Sequence, residues 1–89
     1  MELNKIGRMA LLSDFYSELL TDRQQEVIKY YYEQDLSLGE IAENLHITRQ
    51  GVHDILKRAE KALENYERKL GLLAGYLKEK KSLDSQEGR

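Results

Sequence analysis

Counted at about 100° per residue, Gln50, Asp54, Lys57 and Lys61 fall along the centre of one helical face, with His53 and Arg58 at its flanks and Arg49 in the first turn. The opposite face carries Val52, Ile55 and Ala59. These side chains at this spacing suit a polyanion whose edges can be read. The forked guanidinium of Arg49 fits guanine, the carboxamide of Gln50 fits adenine, and the ammonium groups of Lys57 and Lys61 neutralise phosphates. Thr48 adds a hydroxyl and an N–H for a phosphate at the helix start. Thr48, Arg49, Gln50, His53, Lys57 and Lys61 are therefore the candidate nucleic-acid-binding residues. Asp54 opposes the pattern. A carboxylate there repels phosphate, and its spacing predicts a pair with Lys57 or Arg58 that withdraws a cation from the face.

The element that must hold these residues is the segment Ser37 to Arg58, SLGEIAENLHITRQGVHDILKR. Ser37 and Thr48 each stand where an N-cap opens a short amphipathic helix. Between the helices, Leu45-His46-Ile47 forms the break, with His46 where a left-handed backbone is needed and histidine is tolerated. Ile41, Leu45, Ile47, Val52 and Ile55 supply the aliphatic contact, and Ala42 lets the two helices cross closely. This is the pattern of a helix-turn-helix, whose second helix enters the DNA major groove in many proteins.

The remaining sequence predicts an all-α fold without proline or a β-branched run. One helix is expected from about Asn4 to Leu19. It should bury Met9, Leu12, Phe15, Tyr16 and Leu19 on one side while Leu3, Ile6 and Ala10 point elsewhere, the mark of a helix between two neighbours. The next starts at the capping box Thr21-Asp22-Arg23-Gln24 and reaches about Gln34, burying Val27, Ile28 and Tyr31. In the triplet Tyr30-Tyr31-Tyr32, Tyr31 is then a core residue and Tyr30 is exposed, so base stacking is the weaker reading.

From Val52 onward a second pattern appears. Val52, Leu56, Ala59, Leu63, Tyr66, Leu70, Leu73 and Leu77 are spaced alternately by four and three residues, an apolar seam of period 3.5. Such a seam seeks a partner helix, either the N-terminal helix of the same chain or a second copy in a homodimer. Gly71 and Gly75 interrupt it, and the favoured reading ends the helix near Gly71 with a short helix after it. Residues 1–79 are expected to form a single helical domain, and 80–89 a disordered polar tail.

Composition excludes several classes. The 89 residues contain no cysteine, which rules out disulfides and thiolate metal sites. His46 and His53 form no metal motif, and neither a nucleophile–base pair nor a phosphate loop is present, so a non-enzyme without cofactor is expected. No apolar run approaches a membrane span and MELNKIGRM lacks the core of a signal peptide, so a cytoplasmic protein is expected. Net charge is −2, unevenly placed: residues 1–45 carry −5, 46–61 carry +2 and the remainder +1. The candidate reading helix is thus the positive part of an acidic front half, the right polarity for DNA at low strength.

The run LLTDRQQEVIKYYYEQDLSLGEIAENLHITRQGVHDILKRAEKAL resembles region four of bacterial sigma factors, a DNA-reading helix-turn-helix. With GRMALLSDFYSELL before it and ENYERKLGLLAGY after it, the chain is similar over residues 6 to 78 to the YlxM family of small bacterial proteins. That resemblance places the recognition segment at Thr48 to Asp54. It also implies a regulatory, DNA-binding protein linked to the signal recognition particle, beside whose genes family members are encoded in Gram-positive bacteria. Family members continue as helical sequence where this chain has KEKKSLDSQEGR. The competing expectation is an interaction module that docks on a protein or RNA of that particle without reading DNA. The acidic front half, Asp54 and the long apolar seam all fit it.

Overall fold

Each of the first four helices starts on a residue whose side-chain oxygen accepts the N–H three positions on: Asn4 from Gly7, Thr21 from Gln24, Ser37 from Glu40 and Thr48 from Gly51. At Thr21 and Ser37 the third residue's side chain answers with a bond to the cap's own N–H, completing a capping box. These caps set the frame of an all-α fold. The computed structural model describes residues 3–87, with side chains described as far as Lys81. Its helices are α1 (Lys5–Tyr16), α2 (Asp22–Ile28), α3 (Leu38–Leu45), α4 (Arg49–Leu70) and α5 (Leu72–Glu87).

Helix α4 is the axis of the fold, packed by α1, α2 and α3. Met9, Leu12 and Tyr16 of α1, Val27 and Ile28 of α2, and Ile41 and Ala42 of α3 are buried with Val52, Leu56, Ala59 and Leu63 of α4. The apolar seam through Leu63 is therefore filled by the chain's own helices. Beyond it the seam breaks. Gly71 adopts φ 64°, a left-handed backbone that glycine takes without strain, and α4 stops there. Leu70 is left 55% exposed, while Leu73 is fully buried in α5 on the other side of the turn.

Helix α5 then folds back along α1, with Phe15 against Tyr76 in an edge-on pair whose centroids lie 5.9 Å apart. Farther along the same groove, Leu3, just ahead of α1, and Leu11 of α1 face Tyr76 and Leu77 of α5. Helix α1 thus has α4 on one side and α5 on another, although Ile6 of its second apolar face stays 63% exposed. Gly75 has open space around it, so its role is not close helix packing. The chain remains helical through Glu87, where composition had pointed to an unstructured tail from Lys80; residues 1–2 and 88–89 lie outside the described residues.

Two helix ends depart from the expected pattern. Residues Ser17–Leu19 tighten into a 3₁₀ turn, which turns Leu19 outward to 52% exposure, and Phe15 is 37% exposed. After Ile28 the helix widens into a π turn over Lys29–Glu33, sealed by the bond from Gln34 N to Lys29 O at 3.1 Å. The extra residue rotates the following side chains by about 100° relative to an unbroken α-helix. Tyr31, expected in the core, becomes exposed, while Tyr30 and Tyr32 pack partly against it.

Candidate nucleic-acid interface

The turn between α3 and α4 is built by three local devices. His46 takes φ 57° and Ile47 N bonds to Ala42 O at 3.1 Å, which closes α3 in a Schellman-type end. Thr48 then caps α4 through the bond from Gly51 N to its Oγ1 at 2.9 Å. A Cβ at Gly51 would stand 3.1 Å from the Thr48 oxygen, a close contact that would make the cap give by a few tenths of an ångström. Ile41, Ala42 and Val52 are buried at the crossing, with Leu45, Ile47 and Ile55 packed beside them. The helix-turn-helix is present at the expected residues.

The outward side chains of this motif sit where the helical count puts them. Arg49, Gln50, Asp54, Lys57, Arg58 and Lys61 are exposed, and Thr48 is exposed at the cap. His53 is half-buried and lines, with Leu38, Arg49 and Gln50, a shallow cleft between the starts of α3 and α4. Its Nδ1 makes no hydrogen bond and lies 3.5 Å from an Asp54 oxygen. Six candidates therefore share one surface, with Arg49 and Gln50 at its leading edge.

Asp54 does not take the partner expected of it. Its carboxylate accepts the Gln50 amide at 3.0 Å, and Lys57 turns instead toward Glu60, 3.6 Å away. Gln50 and Arg58 both stand four residues from Asp54, one turn to either side, and it is the Gln50 amide that Asp54 accepts. The consequence is chemical. One amide hydrogen of Gln50 is engaged and its carbonyl oxygen remains free, so Asp54 holds Gln50 in one orientation.

Glu60 is the residue that helical periodicity alone did not identify. It lies beside Ala59 on the inner side of α4 and is buried to 7% exposure. The Tyr32 hydroxyl donates to its Oε2, while Oε1 faces the ammonium groups of Lys57 and of Lys5 on α1, the latter at 3.4 Å. Burial, with the carboxylate beside it, pushes the Tyr32 hydroxyl above the ordinary tyrosine range, so it stays protonated and donates. The Lys57–Glu60 spacing of three residues was readable in the sequence. The contributions of Tyr32 and Lys5 come from distant segments.

The far end of α4 holds a different polar cluster. Arg8 of α1 forks onto Glu64, with Nε–Oε2 at 2.8 Å and Nη2–Oε1 at 2.7 Å. The bond to Arg8 holds the Glu64 carboxyl below the usual range, and the same bond raises Arg8. Glu67 accepts from the Tyr16 hydroxyl at 2.7 Å and from the N–H groups of Leu73 and Ala74, each at 3.0 Å. Tyr16 in turn accepts from Leu72 N at 3.0 Å. These contacts cap α5 from outside the helix and spend no group on the surface of the motif.

Among the described residues no group of three or more His, Cys, Asp or Glu side chains is placed to hold a metal ion. No described helix is long and apolar enough to cross a membrane.

Comparison with known proteins agrees with this architecture. A family model described as "Putative helix-turn-helix protein, YlxM / p13 like" matches residues 3–87. A UPF0122 protein of Desulforamulus reducens is 56% identical over 91% of this chain and 69% of its own length. One from Listeria innocua is 48% identical over 96% of this chain and 77% of its own length. A third, from Lactococcus lactis subsp. cremoris, is 52% identical over 86% of this chain and 69% of its own length. The match spans the motif, both flanking helices and the turn at Gly71, and the chain belongs to the UPF0122 family of YlxM/p13-like helix-turn-helix proteins.

Proposed function

We propose that this chain is a non-enzymatic regulatory protein that binds duplex DNA through the outward face at the start of α4. One observation carries the reading: Arg49, Gln50, Lys57 and Lys61 project from a capped helix whose inner face is fully engaged in the core. Among the described residues Arg49 and Lys61 enter no ion pair, which supports their availability to a ligand. Arg49 contacts base edges from the first turn, Gln50 follows it, and Lys57 and Lys61 meet phosphates. Thr48 fixes the helix start and presents it to the backbone.

Fluorescence anisotropy with a labelled duplex, over a salt series, tests this directly. The native chain is expected to weaken as salt rises, and Lys57→Glu to bind about tenfold or more weakly at low salt. Affinity indifferent to both salt and the substitution contradicts the proposal.

A second reading is supported by a separate surface. Phe15 and Tyr76, in contact where α5 meets α1, are both partly exposed, as are Leu19 and Leu72. In this reading the helix-turn-helix is scaffold, and the chain docks on a signal recognition particle protein or RNA, the partner implied by its resemblance to YlxM proteins. A pull-down with the particle's GTPase and its RNA distinguishes the two; retention of neither counts against it.

A further inference from the structure

Lysines placed on a buried carboxylate ordinarily pair with it one to one. At Glu60 the ratio is two to one, and the carboxylate also takes the Tyr32 hydroxyl. Lys5 and Lys57 approach the same oxygen, at 3.4 and 3.6 Å, so their nitrogens lie within about 7 Å of each other although they come from different helices. The Lys5 and Lys57 side chains are 59% and 53% exposed, against 10% for Glu60. The negative charge is therefore sunk beneath the surface and the two positive charges stand above it, leaving a net single positive charge facing solvent. An anion approaching from outside meets ammonium groups first. Lys61, one helical turn beyond Lys57, extends the same positive surface.

We infer that Lys5 of α1 is a phosphate-contacting residue of the nucleic-acid surface, and that buried Glu60 gathers Lys5 and Lys57 into a two-lysine clamp. This rests on the DNA-binding reading of α4 and extends the interface to a second helix. Glu60 is a positioning residue: it restrains two long side chains that would otherwise sweep freely, and Tyr32 from the π turn fixes the carboxylate in turn. The same carboxylate also attenuates the clamp, because its charge opposes phosphate. Affinity is thereby exchanged for a fixed placement of the two ammonium groups.

The test uses the full chain, a labelled mixed-sequence DNA duplex and anisotropy over a salt series. Each phosphate contact contributes about 0.9 to the slope of log affinity against log salt. Lys5→Gln is expected to lower that slope by about one contact, Lys5→Arg to restore it, and Glu60→Gln to raise affinity several-fold at low salt while keeping a partner for Tyr32. Circular dichroism and thermal melting confirm the fold of each variant, and a purely structural role for Lys5 leaves the slope unchanged. A native slope in Lys5→Gln alongside a reduced one in Lys57→Gln overturns the clamp and leaves the α4 reading standing. A native slope in both variants overturns both.

Discussion

The two ends of α4 carry polar side chains of similar kind arranged in opposite ways. At the N-terminal end, Arg49, Gln50, Lys57 and Lys61 stand outside a helix that is capped by its own neighbour Thr48. At the C-terminal end, Glu64 and Glu67 reach across to α1 and α5, and the cap of α5 is assembled from Tyr16 and Glu67, residues far apart in the chain. Local capping leaves the surface of the first end free. Long-range capping consumes the polar groups of the second, and in return fixes the direction of α5 after Gly71. The comparison separates a region that can meet a ligand from one that holds the fold.

The largest effect belongs to the core that joins the ends. Leu63 is fully buried between them, and Leu63→Ala is expected to cost about 2–5 kcal/mol in chemical denaturation. A loss well under 1 kcal/mol would mean that α1 is not seated on α4 as described.

Next comes the far end. Glu67→Ala removes the acceptor of the Tyr16 hydroxyl and of two backbone N–H groups, for an expected loss of roughly 1–3 kcal/mol. Duplex affinity of the folded variant should not change; a weaker complex would merge the two regions. The same end responds to acid. Burial raises the Glu67 carboxyl, but the bonds from Tyr16, Leu73 and Ala74 outweigh it and leave it below the usual range. Glu64 is held low by Arg8. Both carboxylates bind fewer protons folded than unfolded. Their contribution is complete above the unfolded glutamate value of about 4.3 and fades as pH falls through their lower folded values. Thermal melts from neutral pH downward should show that decline, and Glu64→Gln with Glu67→Gln should flatten it.

At the reading end the effects on stability are smaller. Thr48→Ala is expected to cost about 1 kcal/mol by thermal melting, through loss of the cap, and to weaken DNA binding as the first turn of α4 loosens. Smallest is Asp54→Asn, which removes a surface charge and should alter stability by less than about 0.5 kcal/mol. Its effect should appear in binding instead, as a few-fold gain on duplex DNA. Unchanged affinity would show that Asp54 does not oppose phosphate where it stands.

What could be read from the sequence follows the same division. Caps act over three residues, so Thr21, Ser37 and Thr48 announced their helices, and His46 its left-handed turn. The outward face of α4 was equally legible, because helical geometry alone decides which side opposes Val52 and Ala59. Features that depend on distant segments were not. The π turn at Lys29–Glu33 has no composition signal and displaced Tyr31 from the core. The seam's spacing continues through Gly71, yet its partners are the chain's own helices and its phase is lost at Leu70. No spacing in the sequence links Lys5 to Glu60, and they meet only because α1 packs against α4.

The division between the two ends is tested most directly by backbone amide chemical shifts recorded while duplex DNA is titrated into the labelled chain. Shifts are expected to concentrate from Thr48 to Lys61 and at Lys5, with residues from Tyr66 to Leu77 unmoved. Shifts centred on Phe15, Leu72 and Tyr76, with Arg49 and Gln50 silent, would contradict it.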